Sequence, residues 1–242
     1  MKSAVVQIPA YNEADTLPRT ARKIYEQTPP ESYSVDIEAW VTRHEDESGC
    51  CDTMSAAERA VGVTPYEAPE GKLSARNAAH AHALEEGYDA IVSWDADAPP
   101  KHEGVLSALL EPLTEPNVVA TNSVPLAISQ GASLFTAVLD GFATVEDTVF
   151  PHINGQAHAF TTEAWSLVGP FDETIDQSSM IDVRAEEEFG FYRELTRRGD
   201  VRTPAEAVVY NNPRRMMCKI PFGERPPYCD TKGISPNYGE GK

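Results

Sequence analysis

Cysteine is scarce in this chain and badly spaced for either of its usual structural uses. The four thiols, Cys50, Cys51, Cys218 and Cys229, contain no C-x-x-C pair, and the vicinal Cys50 and Cys51 are poorly placed to bridge each other. Neither a zinc site nor a disulfide framework is indicated, and reduced thiols are expected. Long apolar runs are missing as well. No window approaches the roughly 18 apolar residues of a membrane span, and the opening MKSAVVQIPAYNE reads as a strand and turn rather than a signal peptide. A cytoplasmic protein is the expectation. Lysine is the third shortage, with seven in 242 residues, and 38 acidic against 20 basic side chains give a formal charge of −18. A net anionic surface without a basic stripe repels phosphates, so nucleic acid is not expected as a general partner. Self-repulsion of this size is screened when salt shortens the Debye length to about 3 Å near 1 M, which points to a halophilic cytoplasm.

What is present is a core. With 41% hydrophobic residues the chain can bury one large domain, expected over residues 1–212, with a Pro- and Gly-rich tail at 213–242. Strand and helix patterns alternate through the first hundred residues. Ala4–Ile8 and Val35–Val41 read as strands, and helices are expected from Leu17, around Thr53–Ala60 and over Leu73–Glu86. This alternation predicts β-α-β crossovers and a mostly parallel sheet flanked by helices. The second half is less regular, with strands expected at Val118–Thr121, His158–Phe160 and Val208–Tyr210. Helices are expected at Leu134–Thr144, Thr162–Val168 and Ala185–Arg198.

The segment Tyr88 to Pro100, YDAIVSWDADAPP, carries the clearest chemical signal. A short apolar strand through Ile91, Val92 and Trp94 ends in two carboxylates, Asp95 and Asp97, separated by Ala96. In a parallel α/β sheet the ligand crevice lies outside the carboxyl ends of the strands. Residues i and i+2 of an extended chain point the same way, so the pair could share a divalent cation whose remaining ligands come from a phosphate. The six histidines, by contrast, show no metal-ligand spacing.

Several motifs then fall in an order that resembles inverting family 2 glycosyltransferases of the GT-A fold, of a haloarchaeal type, over roughly residues 4 to 210. Pro9-Ala10-Tyr11-Asn12-Glu13 is similar to that family's first loop, which wraps the base and ribose of a nucleotide. The family's second strand ends in an acid that reads the base, and Glu45 and Asp46 are both candidates. Gly71-Lys72-Leu73-Ser74-Ala75-Arg76-Asn77 resembles a G-K-x-x-A-x-N segment. Its Lys72 and Arg76, four apart near a helix N-terminus, suit a diphosphate. Asp95-Ala96-Asp97 then matches the D-x-D metal motif.

Asn154 and Gly155 open a stretch that resembles the acceptor or donor-sugar side, and Val168-Gly169-Pro170-Phe171-Asp172-Glu173 resembles its V-G-G-F-D-E turn. Glu187-Glu188 falls where the family has an E-D catalytic pair, with Glu188 in the place of the general base. The resemblance implies a nucleotide-diphosphate-sugar donor and Mg²⁺ or Mn²⁺ bound by Asp97 and Asp95. The acceptor it implies is a glycan, a lipid-linked glycan or a small molecule, reached if need be by peripheral contact at the inner face of a membrane. Two rivals stand beside it: a sugar-phosphate nucleotidyltransferase, whose Gly-rich loop P-A-Y-N-E does not supply, and a non-catalytic sugar-nucleotide or glycan-binding member of the fold.

Overall fold

The computed structural model describes residues 1–42, 47–127, 153, 155–175 and 185–211, with backbone alone at 47–51, 185, 188 and 211. Glu45, Asp46, Asn154, the helix expected at 134–144 and the tail at 213–242 lie outside the described residues. The chain runs β1 (Lys2–Ala10), α1 (Leu17–Tyr25), β2 (Tyr33–Thr42), α2 (Glu47–Glu58), β3 (Thr64–Ala68), α3 (Lys72–Glu85), β4 (Ala90–Trp94) and α4 (Val105–Leu110). A 3₁₀ turn (Glu111–Thr114) comes next, then β5 (Val118–Asn122), β6 (Val124–Ala127), β7 (Ala157–Thr161) and α5 (Thr162–Val168). A π-helical turn (Ala185–Gly190) leads into α6 (Phe191–Thr196), β8 (Asp200–Arg202) and β9 (Val208–Asn211).

Among the described residues seven strands form one sheet in the order β3-β2-β1-β4-β7-β5-β8, in which β7 runs against its neighbours. The chain moves outward from β1 to β3 and then returns to the other side of β1 as β4. The crevice between β1 and β4 is therefore the topological switch point, where open α/β sheets place ligands. Because helices cover both faces, the central strands are apolar on both sides. Val6, Ile8 and Val92 pack with Leu17, Ala21 and Ile24 of α1 and with α4, whereas Val5 and Ile91 pack with Leu73 of α3, Trp165 and Phe191. The spacing of Leu17, Thr20, Ala21 and Ile24 is that of one helical stripe, and all four are buried. A separate pair, β6 with β9, lies parallel beside the turn after β4.

Candidate active site

The end of β4 is held open by its own alternation. Trp94, Ala96 and Ala98 are buried while Asp95 and Asp97 are half-buried, so the tryptophan and the two alanines pack inward and the acids keep access to solvent. The Trp94 indole donates to the Ala98 carbonyl at 2.6 Å, and the Ala98 N–H to the Asp95 carbonyl at 3.1 Å, which closes the turn. β9 clamps residues 99–101, with the Tyr210 N–H on the Pro99 carbonyl (2.9 Å) and the Lys101 N–H on the Val208 carbonyl (3.0 Å). Among the described residues no group of three or more His, Cys, Asp and Glu side chains could hold a metal. Two carboxylates at a strand end fit a cation that draws its other ligands from water and a diphosphate, the usual habit of Mg²⁺.

β1 ends beside them. Asn12 sits at φ 54°, the left-handed region that Asn tolerates better than other side chains, and there the chain turns back into α1. The Glu13 carbonyl accepts the Leu17 N–H at 2.8 Å to start α1, and the Glu13 N–H donates to Thr53 Oγ1 of α2 at 3.1 Å. Pro9, Ala10, Tyr11, Asn12 and Glu13 thus follow the carboxyl end of β1, and Asp95 and Asp97 that of the neighbouring parallel strand β4.

α3 supplies the floor. Its capping residue is Gly71 at φ 97°, a conformation open to glycine and strained for other residues, and its carbonyl accepts the Ala75 N–H at 2.9 Å. From there Lys72, Arg76 and His80 recur every fourth residue on one helical stripe. On β4, period 2 puts Ile91, Ser93 and Asp95 on the same face, so the stripe meets Asp95. Arg76 is only 1% exposed, and its Nη2 donates to Asp95 Oδ1 at 2.8 Å and to the Gly155 carbonyl at 3.2 Å. Its Nη1 pairs with Glu187, also 1% exposed, and Lys72 Nζ lies 2.8 Å from the second Glu187 oxygen. Arg76 and Lys72, which the sequence suggests as diphosphate ligands, therefore belong to a four-charge network with Asp95 and Glu187 that is enclosed at Arg76 and Glu187 and partly exposed at Lys72 and Asp95.

Asn77, on the next position, faces the other way along the floor. Its amide donates to the Phe171 carbonyl (3.0 Å) and to Glu173 (2.7 Å), and its Oδ1 accepts the Phe171 N–H at 2.9 Å. Ser74 donates to Glu173 at 2.8 Å, and the Asp172 N–H donates to Glu186 at 3.1 Å. These bonds dock the 171–173 turn and the π-helical turn onto α3. Glu187 is turned inward by this arrangement; of its neighbour Glu188 the structure describes the backbone, in the same π-helical turn. Single π turns are rare and concentrate at functional sites.

Deeper along the stripe, His80 is fully buried. Gln7 Nε2 donates to the Ala79 carbonyl (2.5 Å) and to Glu38 (3.1 Å), so its oxygen faces His80 Nδ1 at 2.7 Å and that nitrogen carries the proton. The ring packs edge-on against Phe160 and Trp165. Desolvation first, then the Arg76 charge and His158, hold its pKa well below the ordinary histidine value. Sequence reasoning missed this row entirely, because Gln7 and Glu38 are single polar residues inside apolar strands. It also missed the partners of Arg76, which come from three distant segments.

An open α/β fold with acids at its switch point and a helix carrying Lys72 and Arg76 behind them is a scaffold of the ligand-binding class. The sequence profile of Glycosyl transferase family 2 matches residues 5–140, more than half of the chain, and the chain belongs to that family. No curated protein sequence matches it. Among solved structures, a mannosyltransferase from Pyrobaculum calidifontis, in complex with GDP-Man and Mn²⁺, is 21% identical with a TM-score of 0.62. That match covers 86% of this chain and 56% of the mannosyltransferase. TarS residues 1–349 from S. aureus, in complex with UDP-GlcNAc, is 11% identical with a TM-score of 0.54, over 93% of this chain and 60% of that one. The glucosyl-3-phosphoglycerate synthase of Mycobacterium tuberculosis, with Mn²⁺, UDP and glucosyl-3-phosphoglycerate, is 17% identical with a TM-score of 0.51, over 84% of this chain and 70% of that one. The chain thus spans a little over half the length of the first of these, and at these identities the likeness is one of fold. No helix among the described residues is long and apolar enough to cross a membrane.

Proposed function

We propose that this protein is an inverting glycosyltransferase that moves a sugar from a nucleotide-diphosphate sugar to an acceptor hydroxyl with the help of a divalent cation. The observation that carries the reading is the meeting, at the β1/β4 switch point, of the 9–13 turn with the half-buried acids Asp95 and Asp97. In this reading Asp97, with Asp95 beside it, holds Mg²⁺ or Mn²⁺ against the diphosphate. Bound there, the cation would supply charge stabilisation for the departing nucleoside diphosphate. The 9–13 turn, with Glu45 or Asp46, holds the nucleoside, and Asn154 and Gly155 border the sugar.

Glu187 is neutralised by two cations and closed off from solvent, so it is not the proton acceptor of this mechanism. That role falls to Glu188, which takes the acceptor proton as the new C–O bond forms on the face opposite the leaving group. Lys72, Arg76 and Asn77 act from below, by fixing the acids and the 171–173 turn rather than by lying in the open crevice. The acceptor is a glycan, a lipid-linked glycan or a small molecule, and the acidic surface suits a cytoplasm of high salt.

The test is calorimetry in molar KCl with UDP-, GDP- and dTDP-sugars, with and without Mn²⁺. One nucleotide should bind only with the metal, and Asp97→Ala should abolish that binding. Glu188→Gln should bind the same donor within about threefold yet lose roughly 10²-fold or more of transfer. Equal loss of donor affinity in both variants would refute the division of roles. Donor binding without any transfer or hydrolysis by the wild type would assign the chain to the non-catalytic binding members of the fold.

A further inference from the structure

We propose that Arg76 is a positioning residue that ties the donor-side acid Asp95 to the π-helical turn 185–190, with Glu187 as the counter-charge through which the tie is balanced; the metal arm of this inference rests on the reading above. The guanidinium is fully enclosed and bridges three separate segments: Asp95 at the end of β4, the Gly155 carbonyl before β7, and Glu187. Asp95 and Glu187 thus meet on one cation, Nη2 serving the first and Nη1 the second. Lys72 closes the set from the other side of Glu187, and the four charges sum to zero.

A buried pair of this kind is costly to break, because removal of one partner leaves an uncompensated charge that shifts onto the remaining ones. Loss of the Glu187 charge would leave Arg76 to Asp95 alone and add one net positive charge behind the acids. Both effects oppose a cation at Asp95. Conversely, a cation that draws Asp95 away from Arg76 strengthens the hold of Arg76 on Glu187, and with it the setting of the turn that carries Glu188. By linkage the two effects are equal in size.

Two measurements on the full chain test this. The first needs no ligand: thermal midpoints of Asp95→Asn, Glu187→Gln and the double variant, each in the wild-type and the Arg76→Met background, with Arg76→Lys as a second background should Arg76→Met not fold. The midpoints should be non-additive by roughly 2–8 °C with arginine present and additive with methionine, while lysine, which keeps the charge and loses the fork, should halve the effect or more. The second titrates Mn²⁺ in the presence of UDP or GDP. Glu187→Gln should weaken Mn²⁺ by about 5- to 30-fold with arginine at position 76, and by less than half that factor with methionine or lysine there, where the change of net charge beside Lys72 is what remains.

Additive midpoints, or an Mn²⁺ affinity unmoved within twofold by Glu187→Gln in a protein that binds Mn²⁺ and nucleotide, overturn the proposal and leave the glycosyltransferase reading standing. Non-additive midpoints in a protein that binds neither nucleotide support the tie and count against that reading instead. A purely structural ion pair would lower every midpoint without moving the metal affinity.

Discussion

Acidification should destabilise this protein through His80, in an amount set by one proton. The native ring is neutral: Nδ1–H is committed to Gln7, and Nε2, which has no hydrogen-bond partner among the described residues, lies among Phe160, Trp165 and Phe171. A second proton would have to enter that apolar pocket with Arg76 one turn away and His158 close by, so burial and both neighbours depress the pKa. Unfolded, the same ring titrates near 6.5. Above that value neither state binds the proton and stability is full; below it the unfolded chain binds one proton that the native state refuses, and stability falls as pH falls. The slope is about 1.4 kcal/mol per pH unit while the native ring stays neutral, which integrates to about 2 kcal/mol between pH 6.5 and 5. That is a large share of a typical domain stability of about 5–15 kcal/mol. Urea unfolding in constant high salt at pH 7.5, 6.5, 5.5 and 5.0 should show this loss in the wild type. In His80→Gln, which keeps an amide donor toward Gln7 and cannot titrate, the loss should be smaller by about 2 kcal/mol. Parallel pH curves for the two proteins would refute the assignment of a buried neutral His80, whatever the absolute stabilities.

Three further outcomes are expected from the frame around the acids. Gly71→Ala should destabilise by about 1–2 kcal/mol in urea, since an L-residue must adopt the left-handed φ of 97° that starts α3. Asn77→Ala removes three hydrogen bonds and leaves the Phe171 N–H without its acceptor, an expected cost of about 2–4 kcal/mol by the same assay. Trp94→Phe keeps the aromatic bulk but not the donor to the Ala98 carbonyl, and should cost about 1–3 kcal/mol while weakening Mn²⁺ and nucleotide binding in calorimetry by loosening the turn between Asp95 and Asp97. A Trp94→Phe protein with native stability and unchanged binding would show that the turn is held without the indole bond.

The chain announced its sheet because the elements there are local. β1, β4 and β7 are short apolar runs bounded by polar turns, and α1 and α3 bury residues at helical spacing, so one window of sequence contains the whole signal. The expected strand 118–121 and helix 162–168 lie on β5 and α5 for the same reason. The strands left unread, β3, β6 and β8, are edge or paired elements of five, four and three residues whose stability comes from neighbours far off in the chain. Likewise the helix expected at 185–198 is divided: its first turn is π-helical, and the regular part begins only at Phe191.

The place of Asp95 and Asp97 at the end of a strand was legible and their surroundings were not. Alternation alone puts Asp95 and Asp97 beside each other at a strand end, whereas nothing in the spacing of Lys72 and Arg76 distinguishes cations that face a ligand from cations that face Glu187. The distinction is one of desolvation. An arginine on the buried stripe of a helix cannot stay solvated, so it must find carboxylates, and the two it finds are set by how β4 and the π-helical turn pack on α3. The same stripe carries His80 one turn further in, where among the described residues its partner is the Gln7 amide and no carboxylate pairs with it, so the ring is neutral. Polarity along α3 therefore falls from the crevice inward, from paired charge to neutral hydrogen bond to the apolar contact at Ala83, and its outer end is the part that meets Asp95 at the end of β4.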